Sequence, residues 1–241
     1  MIALLATLPP GLFSGDEGVK LIQTISLQHH GLTSDALIYP GERFDPDWRY
    51  FPLPSPFVIG YGHDRHSIYA TLFAALGLPG WILGRSYVGA LFLPALGAVT
   101  TTLLVVHFAR LAGRRPLGSA LMGLAVLALS PLAAYGATYT EHTVAVALLL
   151  VAFCCLARPT PRTTHAIVAG VALGASAMMR PEVLAMALAF AVFVVLTRGL
   201  DRPTLKLVAL IAVAAAGCYA TYVVRNLLVL GVWNPAVYAN L

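Results

Sequence analysis

Residues 86–108, SYVGALFLPALGAVTTTLLVVHF, contain no Lys, Arg, Asp or Glu. At about 1.5 Å of rise per residue, a helix of that length crosses a hydrocarbon core about 30 Å thick. The pattern recurs on the C-terminal side. Residues 117–137, 143–157 (extended backward through Thr140), 166–179, 183–197 and 207–224 are further apolar runs, with charges gathered in the short connections between them. The chain therefore reads as an all-α polytopic transmembrane protein, one domain over residues 1–241. Further spans occupy residues 85–241, and residues 13–84 form a long polar loop. Residues 1–12 are apolar but too short to span, and they lack the basic start of a signal peptide. They are expected to be the outer half of a truncated first span. The end at Asn240-Leu241, with no polar tail, adds to the expectation of a fragment.

Composition leads to the same class. Of 241 residues, 59% are hydrophobic and only 10% charged, with a mean hydropathy of +0.82. A soluble domain carries about 25% charged residues, so lipid must replace water over much of this surface. The net charge of +5 forms no basic patch interleaved with aromatics, which argues against a nucleic-acid partner. The three cysteines, Cys154, Cys155 and Cys218, all lie in apolar runs and show neither a disulfide framework nor a metal spacing.

Positive charge sets the orientation. Three short connections hold Arg110, Arg114 and Arg115; Arg158 and Arg162; and Arg198, Arg202 and Lys206, with Asp201 as their one acid. These connections are expected to be cytoplasmic. Two ambiguous segments follow from that rule. Residues 66–83 are expected to be an interfacial or re-entrant helix broken near Gly77 and Pro79-Gly80, because a crossing there would put Arg110 outside. Residues 166–197 are expected to be a hairpin turning at Arg180-Pro181-Glu182. Its arms, about 21–23 Å long, would hold that turn below the membrane surface. An Arg and a Glu at such depth need water, each other or a bound charged group. Gly170 and Gly174 offer a small-residue face for helix packing.

The 13–84 loop is the region outside the lipid with enough sequence for chemistry. Ser14 and Glu17 have the spacing of a capping box, and a helix is expected from about Asp16 to His30, ended by Gly31. Val19, Ile22 and Ile25, with Leu21 nearby, make it amphipathic. Asp16 and Glu17 suit a first helical turn on dipole grounds alone. A carboxylate at that place is also positioned to act as a general base. Between Leu32 and Arg65 come Tyr39-Pro40-Gly41, Asp45-Pro46-Asp47-Trp48 and Phe51-Pro52-Leu53-Pro54-Ser55-Pro56. The prolines predict an ordered, non-helical stretch. Aromatics with carboxylates there suit either sugar binding or a membrane belt. The segment His63-Asp64-Arg65-His66 reads better as a solvated turn than as a metal pair. Glu141-His142 falls at the outer end of two spans, where it could wall a site. Arg85, Arg180 and Arg225 run against the orientation bias. Phosphate recognition and snorkelling to headgroups both account for them.

The order of these features resembles a known family. Phe13-Ser14-Gly15-Asp16-Glu17 follows the first apolar segment. Then come a helix ending in His30-Gly31, a Tyr39-Pro40 segment, and a span opening with Gly84-Arg85 and ending in Ala109-Arg110. Leu129-Ser130-Pro131, Thr140-Glu141, Ala169-Gly170, Arg180-Pro181-Glu182, and Arg225-Asn226 with Gly231 complete the pattern. Over nearly the whole chain it resembles the N-terminal membrane half of GT-C glycosyltransferases of the protein O-mannosyltransferase and aminoarabinose transferase type.

That resemblance implies a GT-C-type helical bundle with a long extracytoplasmic first loop carrying amphipathic helices. It implies an inverting glycosyltransferase that moves a sugar from a polyprenyl-phosphate carrier to a lipid, glycan or protein acceptor on the outer face. Asp16 matches the family's base, with Glu17 its neighbour, and Arg85 matches a basic residue near the donor phosphate. Arg180 is added to the phosphate site on the submerged-turn argument. Related enzymes differ over a divalent metal, so no cofactor is fixed and no metal ligands are assigned. Two departures are the smaller number of spans and the missing soluble C-terminal domain. The expected location is a bacterial inner or plasma membrane, multi-pass, with the site outside. The alternatives from other classes are a polytopic transporter, disfavoured by the absence of paired repeats, and a non-catalytic scaffold subunit.

Overall fold

The computed structural model describes residues 12, 14–53, 56–61, 64–158 and 160–234. The expected first span, apart from Leu12, lies outside the described residues, as do His63 and the C-terminal Asn240-Leu241. The protein is mostly helical, and its chain forms two compact units.

The first unit comprises Met1–Leu93, Ala137–Thr140 and Val223–Leu241. It opens with α1 (Gly15–His29), one residue earlier at each end than expected. Ser14 caps α1, its side-chain oxygen accepting from the Glu17 N–H at 3.4 Å. Gly31, at φ +58°, closes the helix. There the Leu32 N–H returns to the Leu27 carbonyl at 2.9 Å and the Gly31 N–H to that of Gln28 at 3.1 Å, the reciprocal pair that satisfies a helix's last carbonyls.

The inward face of α1 departs from the expected apolar stripe. Val19 is buried, but so are Glu17, Lys20, Gln23 and Thr24, whereas Leu21, Ile22 and Ile25 are half-buried. Polar side chains turn inward because partners await them there.

A two-stranded antiparallel hairpin, β1 (Val58–Tyr61) and β2 (Asp64–Ser67), follows, with Ile59 opposite His66. It is an exception to the all-α expectation. It also corrects the solvated turn expected there over its described part, Asp64–His66, which lies in β2, with His66 only 3% exposed and bridged to Ala36.

The next helix, α2 (Thr71–Gly84), starts later than expected and runs through Pro79 unbroken. Its glycines serve close approach rather than a break. A Cβ at Gly77 would collide with the Tyr139 hydroxyl, and one at Gly80 would meet the Gly89 carbonyl at 2.5 Å. Gly89 belongs to α3 (Tyr87–Ala90).

The second unit comprises Pro94–Gly136 and Glu141–Tyr222. It holds most of α4 (Phe92–Leu111), then α5 (Pro116–Leu129), α6 (Leu132–Tyr135), α7 (His142–Leu156), α8 (Thr163–Met179), α9 (Val183–Arg198) and most of α10 (Arg202–Leu230). The run read as one span at residues 117–137 is broken. Pro131 drives Ser130 to extended angles, φ −116° and ψ 168°, as the residue before a proline prefers. The Ser130 hydroxyl then accepts from the Leu132 N–H at 3.3 Å.

Contacts fix the helix directions in this unit. Thr143 donates to the Pro94 carbonyl at 2.8 Å, and Phe108 meets Phe153 at a centroid distance of 6.3 Å, so α4 and α7 run parallel. Ser176 donates to the Ala145 carbonyl at 2.9 Å, so α8 returns antiparallel. Phe153 lies 3.7 Å from Phe190 between ring centroids, and Arg198 donates to the carbonyls of Leu156 and Arg158. Helices α8 and α9 therefore form a hairpin about Arg180-Pro181-Glu182. Its arms have 17 and 16 residues, or about 25 Å each, because α8 starts at Thr163 rather than at Ala166. Gly170 and Gly174 pack on α10, where added Cβ atoms would meet the Ile211 carbonyl at 2.5 Å and the Ala215 carbonyl at 2.6 Å. These directions gather the three basic connections at one end of the unit and Glu141, His142, Arg180 and Glu182 at the other.

Among the described residues, two helices are long and apolar enough to cross a membrane: Tyr87–Leu111, which contains α3 and α4, and Arg202–Leu230.

Candidate functional site

The inward polar face of α1 is the start of a network in the first unit. Asp16, in the first turn, accepts a short hydrogen bond from the Tyr69 hydroxyl. Lys20, one turn on, lies 3.6 Å from the other Asp16 oxygen, with its ammonium 4.1 Å from the Tyr69 ring centroid. Glu17, expected to reach back to Ser14, accepts from the Tyr87 hydroxyl at 2.7 Å. Thr24 donates to the Lys20 carbonyl at 2.9 Å and meets the Tyr139 hydroxyl at 2.7 Å. Gln23 donates to the Tyr69 carbonyl at 3.3 Å and to Thr71 at 3.5 Å.

Thr71 links this cluster to a second one. Its hydroxyl donates to Asp35 at 2.7 Å, and Asp35 also takes His66 Nδ1 at 3.1 Å and the Arg225 guanidinium. A carboxylate only accepts, so the His66 proton sits on Nδ1. Arg225 already neutralises Asp35, and a charged imidazole would leave a buried excess of positive charge. Burial accordingly pushes the His66 imidazole below its ordinary value, against the opposing pull of Asp64.

Exposure separates the two expected catalytic acids. The Asp16 side chain is 37% exposed, whereas Glu17 is 2% exposed. Only Asp16 presents oxygen to an incoming group, and two neighbours hold it in place. Arg85 stands in the turn after α2, in the left-handed region at φ +41°, exposed and without an ion pair among the described residues. It lies two residues before Tyr87, the partner of Glu17.

The other expected site residues belong to the second unit. Arg180 pairs with Glu141 at 3.3 Å and with Glu182 at 2.5 Å, the mutual neutralisation that its position required. His142 stacks on Tyr135 with centroids 4.2 Å apart and planes 7° from parallel. His142, Tyr135, Arg180 and Glu182 line the polar end of an apolar cavity of about 400 Å³ whose other walls include Leu149 and Met186. One guanidinium matched by two carboxylates makes a weaker phosphate partner than the unpaired Arg85.

Comparisons with protein families, with characterised proteins and with solved structures give no match. Sequence reasoning passed over Lys20, Tyr69, Tyr87, Asp35 and His66 as site-forming residues. Lys20 was legible, since it stands four residues after Asp16 on one helix face. The others reach the site through tertiary folding across 31 to 70 residues, and no local spacing signals them. The described residues hold no cluster of three or more metal-ligating side chains.

Proposed function

We propose that this chain is a polytopic membrane glycosyltransferase of GT-C type. It transfers a sugar from a polyprenyl-phosphate carrier to a hydroxyl acceptor on the extracytoplasmic face of a bacterial plasma membrane. The observation that carries the reading is Asp16: a solvent-reachable carboxylate, oriented by Tyr69 and Lys20, beside a buried twin that water does not reach. Two long apolar helices and the gathering of the basic connections at one end of the second unit support the multi-pass arrangement and its orientation.

In this reaction Asp16 takes the proton of the acceptor hydroxyl. The acceptor oxygen bonds to the anomeric carbon as the carbon–oxygen bond to the phosphate breaks, with inversion. The leaving polyprenyl phosphate keeps the electron pair, and the exposed Arg85 guanidinium is the group suited to meet its charge. Glu17, locked to Tyr87, positions the first turn of α1.

The test compares wild type with Asp16→Asn in membranes supplied with labelled polyprenyl-phosphate sugars. Loss of a general base costs roughly 10²- to 10⁴-fold in rate, and that drop is expected with the fold retained by circular dichroism. Transfer that survives the substitution intact sinks the proposal. No transfer by folded wild-type protein from any donor would favour a transporter or a scaffold subunit.

A further inference from the structure

The first unit contains a second feature that the transfer reading does not use. An open cavity of about 440 Å³ lies beside the loop, where Tyr39 and Trp48 form an aromatic wall and Glu42, Asp64, Arg65, His29 and His30 supply the polar groups. The aromatic wall is held in shape from beneath. Asp45, 8% exposed, accepts from the Arg49 N–H at 2.9 Å, the Tyr50 N–H at 2.7 Å and the Tyr39 hydroxyl at 3.2 Å. That clamp keeps Trp48 in the left-handed region at φ +59°, where a bulky side chain is rarely found and where an outlier points to function. Trp48 lies 5.1 Å from the Tyr39 ring and 4.7 Å from Phe51 between centroids. Its own rotation is thereby stopped while it remains half-exposed.

We propose that this cavity binds a neutral saccharide. Assignment of that saccharide to the acceptor rests on the transferase reading above. A fixed, half-exposed ring face suits the C–H face of a pyranose, and planar carboxylates and a guanidinium around it suit vicinal hydroxyls, which both donate and accept. Among the carboxylates and guanidinium of the lining, which also carries His29 and His30, Glu42 and Asp64 outnumber Arg65, and that balance disfavours a phosphate headgroup. A membrane belt is the competing use of loop aromatics. Here the aromatics best placed for it are Phe44 and Tyr50, 87% and 83% exposed, neither of which lines the cavity. Trp48 faces a cavity lined by polar as well as apolar side chains, a mixed surface that suits a sugar better than an acyl chain.

The experiment titrates the purified full chain in detergent micelles with mannotriose and, separately, cellotriose, by saturation-transfer NMR and calorimetry. No lipid-linked donor is present, so failure here and failure of the transfer assay are separate results. Saturable binding of at least one sugar is expected. Glu42→Gln, an exposed and structurally mild change, should weaken it by about tenfold, the worth of one hydrogen bond involving a charged group. Trp48→Phe should weaken it further, and Phe44→Ala should leave it unchanged. Binding of neither sugar by folded protein overturns the proposal, as does binding that both cavity variants retain. Vesicles of phosphatidylglycerol are the parallel probe: association with them that falls in Trp48→Phe, without sugar binding, would make the wall a membrane contact instead.

Discussion

In the second unit, the interior shared by α7, α8, α9 and α10 is built from Ala152, Ala166, Ala169, Leu173, Phe190 and Val194, all at most 3% exposed. In the first unit, α1 turns Glu17, Lys20, Gln23 and Thr24 inward at equally low exposure. The bundle holds together by shape, with Gly170 and Gly174 letting two backbones approach, and tolerates any partner of the right volume. The loop unit holds together by complement: inward polar groups meet specific polar partners, and removing one strands another. In a unit of the second kind, Tyr69 and Lys20 hold Asp16 through its two carboxylate oxygens.

The largest effect should come from stranding a charge. Arg225→Met leaves Asp35 only 6% exposed and without its cation, and breaking a buried pair in this way costs about 3–5 kcal/mol. Thermal unfolding in detergent measures it. The double variant Arg225→Met with Asp35→Asn should recover part of the loss, since no charge is then left behind. Equal loss in both variants would mean that the pair contributes packing alone. In the bundle, Gly174→Leu drives a side chain into the Ala215 carbonyl and Cys218, and overpacking of this kind costs about 1–3 kcal/mol. A tolerant Gly174→Leu would show that α8 and α10 separate easily, against the shape argument.

The contrast also marks what the sequence discloses. The bundle was legible because long apolar runs and charged connections are local signals, and the hairpin at Arg180-Pro181-Glu182 followed from charge alone. The break at Ser130-Pro131 was missed, because the continuous apolar run outweighed the signal of the proline. In the loop unit, the cap at Ser14 and the stop at Gly31 were readable from spacing. The inward face of α1 was not. Val19, Ile22 and Ile25 predicted an amphipathic helix with its apolar face on the membrane surface, because pattern reasoning assigns polar residues to water unless it knows their partners. Those partners, Tyr69, Tyr87 and Tyr139, arrive from 46 to 115 residues away. The β1–β2 hairpin was missed for the same reason: four-residue strands lack a periodic signature, and Asp35 secures His66 from a distance.

A pH titration sharpens the comparison, because among the described residues the buried histidine against an ion pair, His66, belongs to the loop unit. Burial lowers the His66 imidazole below the unfolded value of about 6.5. The unfolded chain therefore binds a proton more readily than the folded one. The stabilisation from a neutral His66 is present above pH ~6.5 and is lost as pH falls through the folded value. Melting temperature should decline over that interval in wild type, and the decline should flatten in His66→Gln. An identical decline in both would assign it to other groups.

The smallest expected effect decides whether α1 is held by its end or by its inward face. Ser14→Ala removes the side-chain acceptor for the Glu17 N–H, a long bond at 3.4 Å on an exposed residue. Such a cap sits at the low end of its range, about 0.5 kcal/mol, or a shift of roughly 1–2 °C in melting temperature for a chain of this size. The buried partners of Glu17, Lys20 and Thr24 keep the helix in register without the cap, so activity should be unchanged. A loss comparable to that of Arg225→Met would reverse the order. Then α1 would depend on its first turn, and the orientation of Asp16 would be set by the cap rather than by Tyr69 and Lys20.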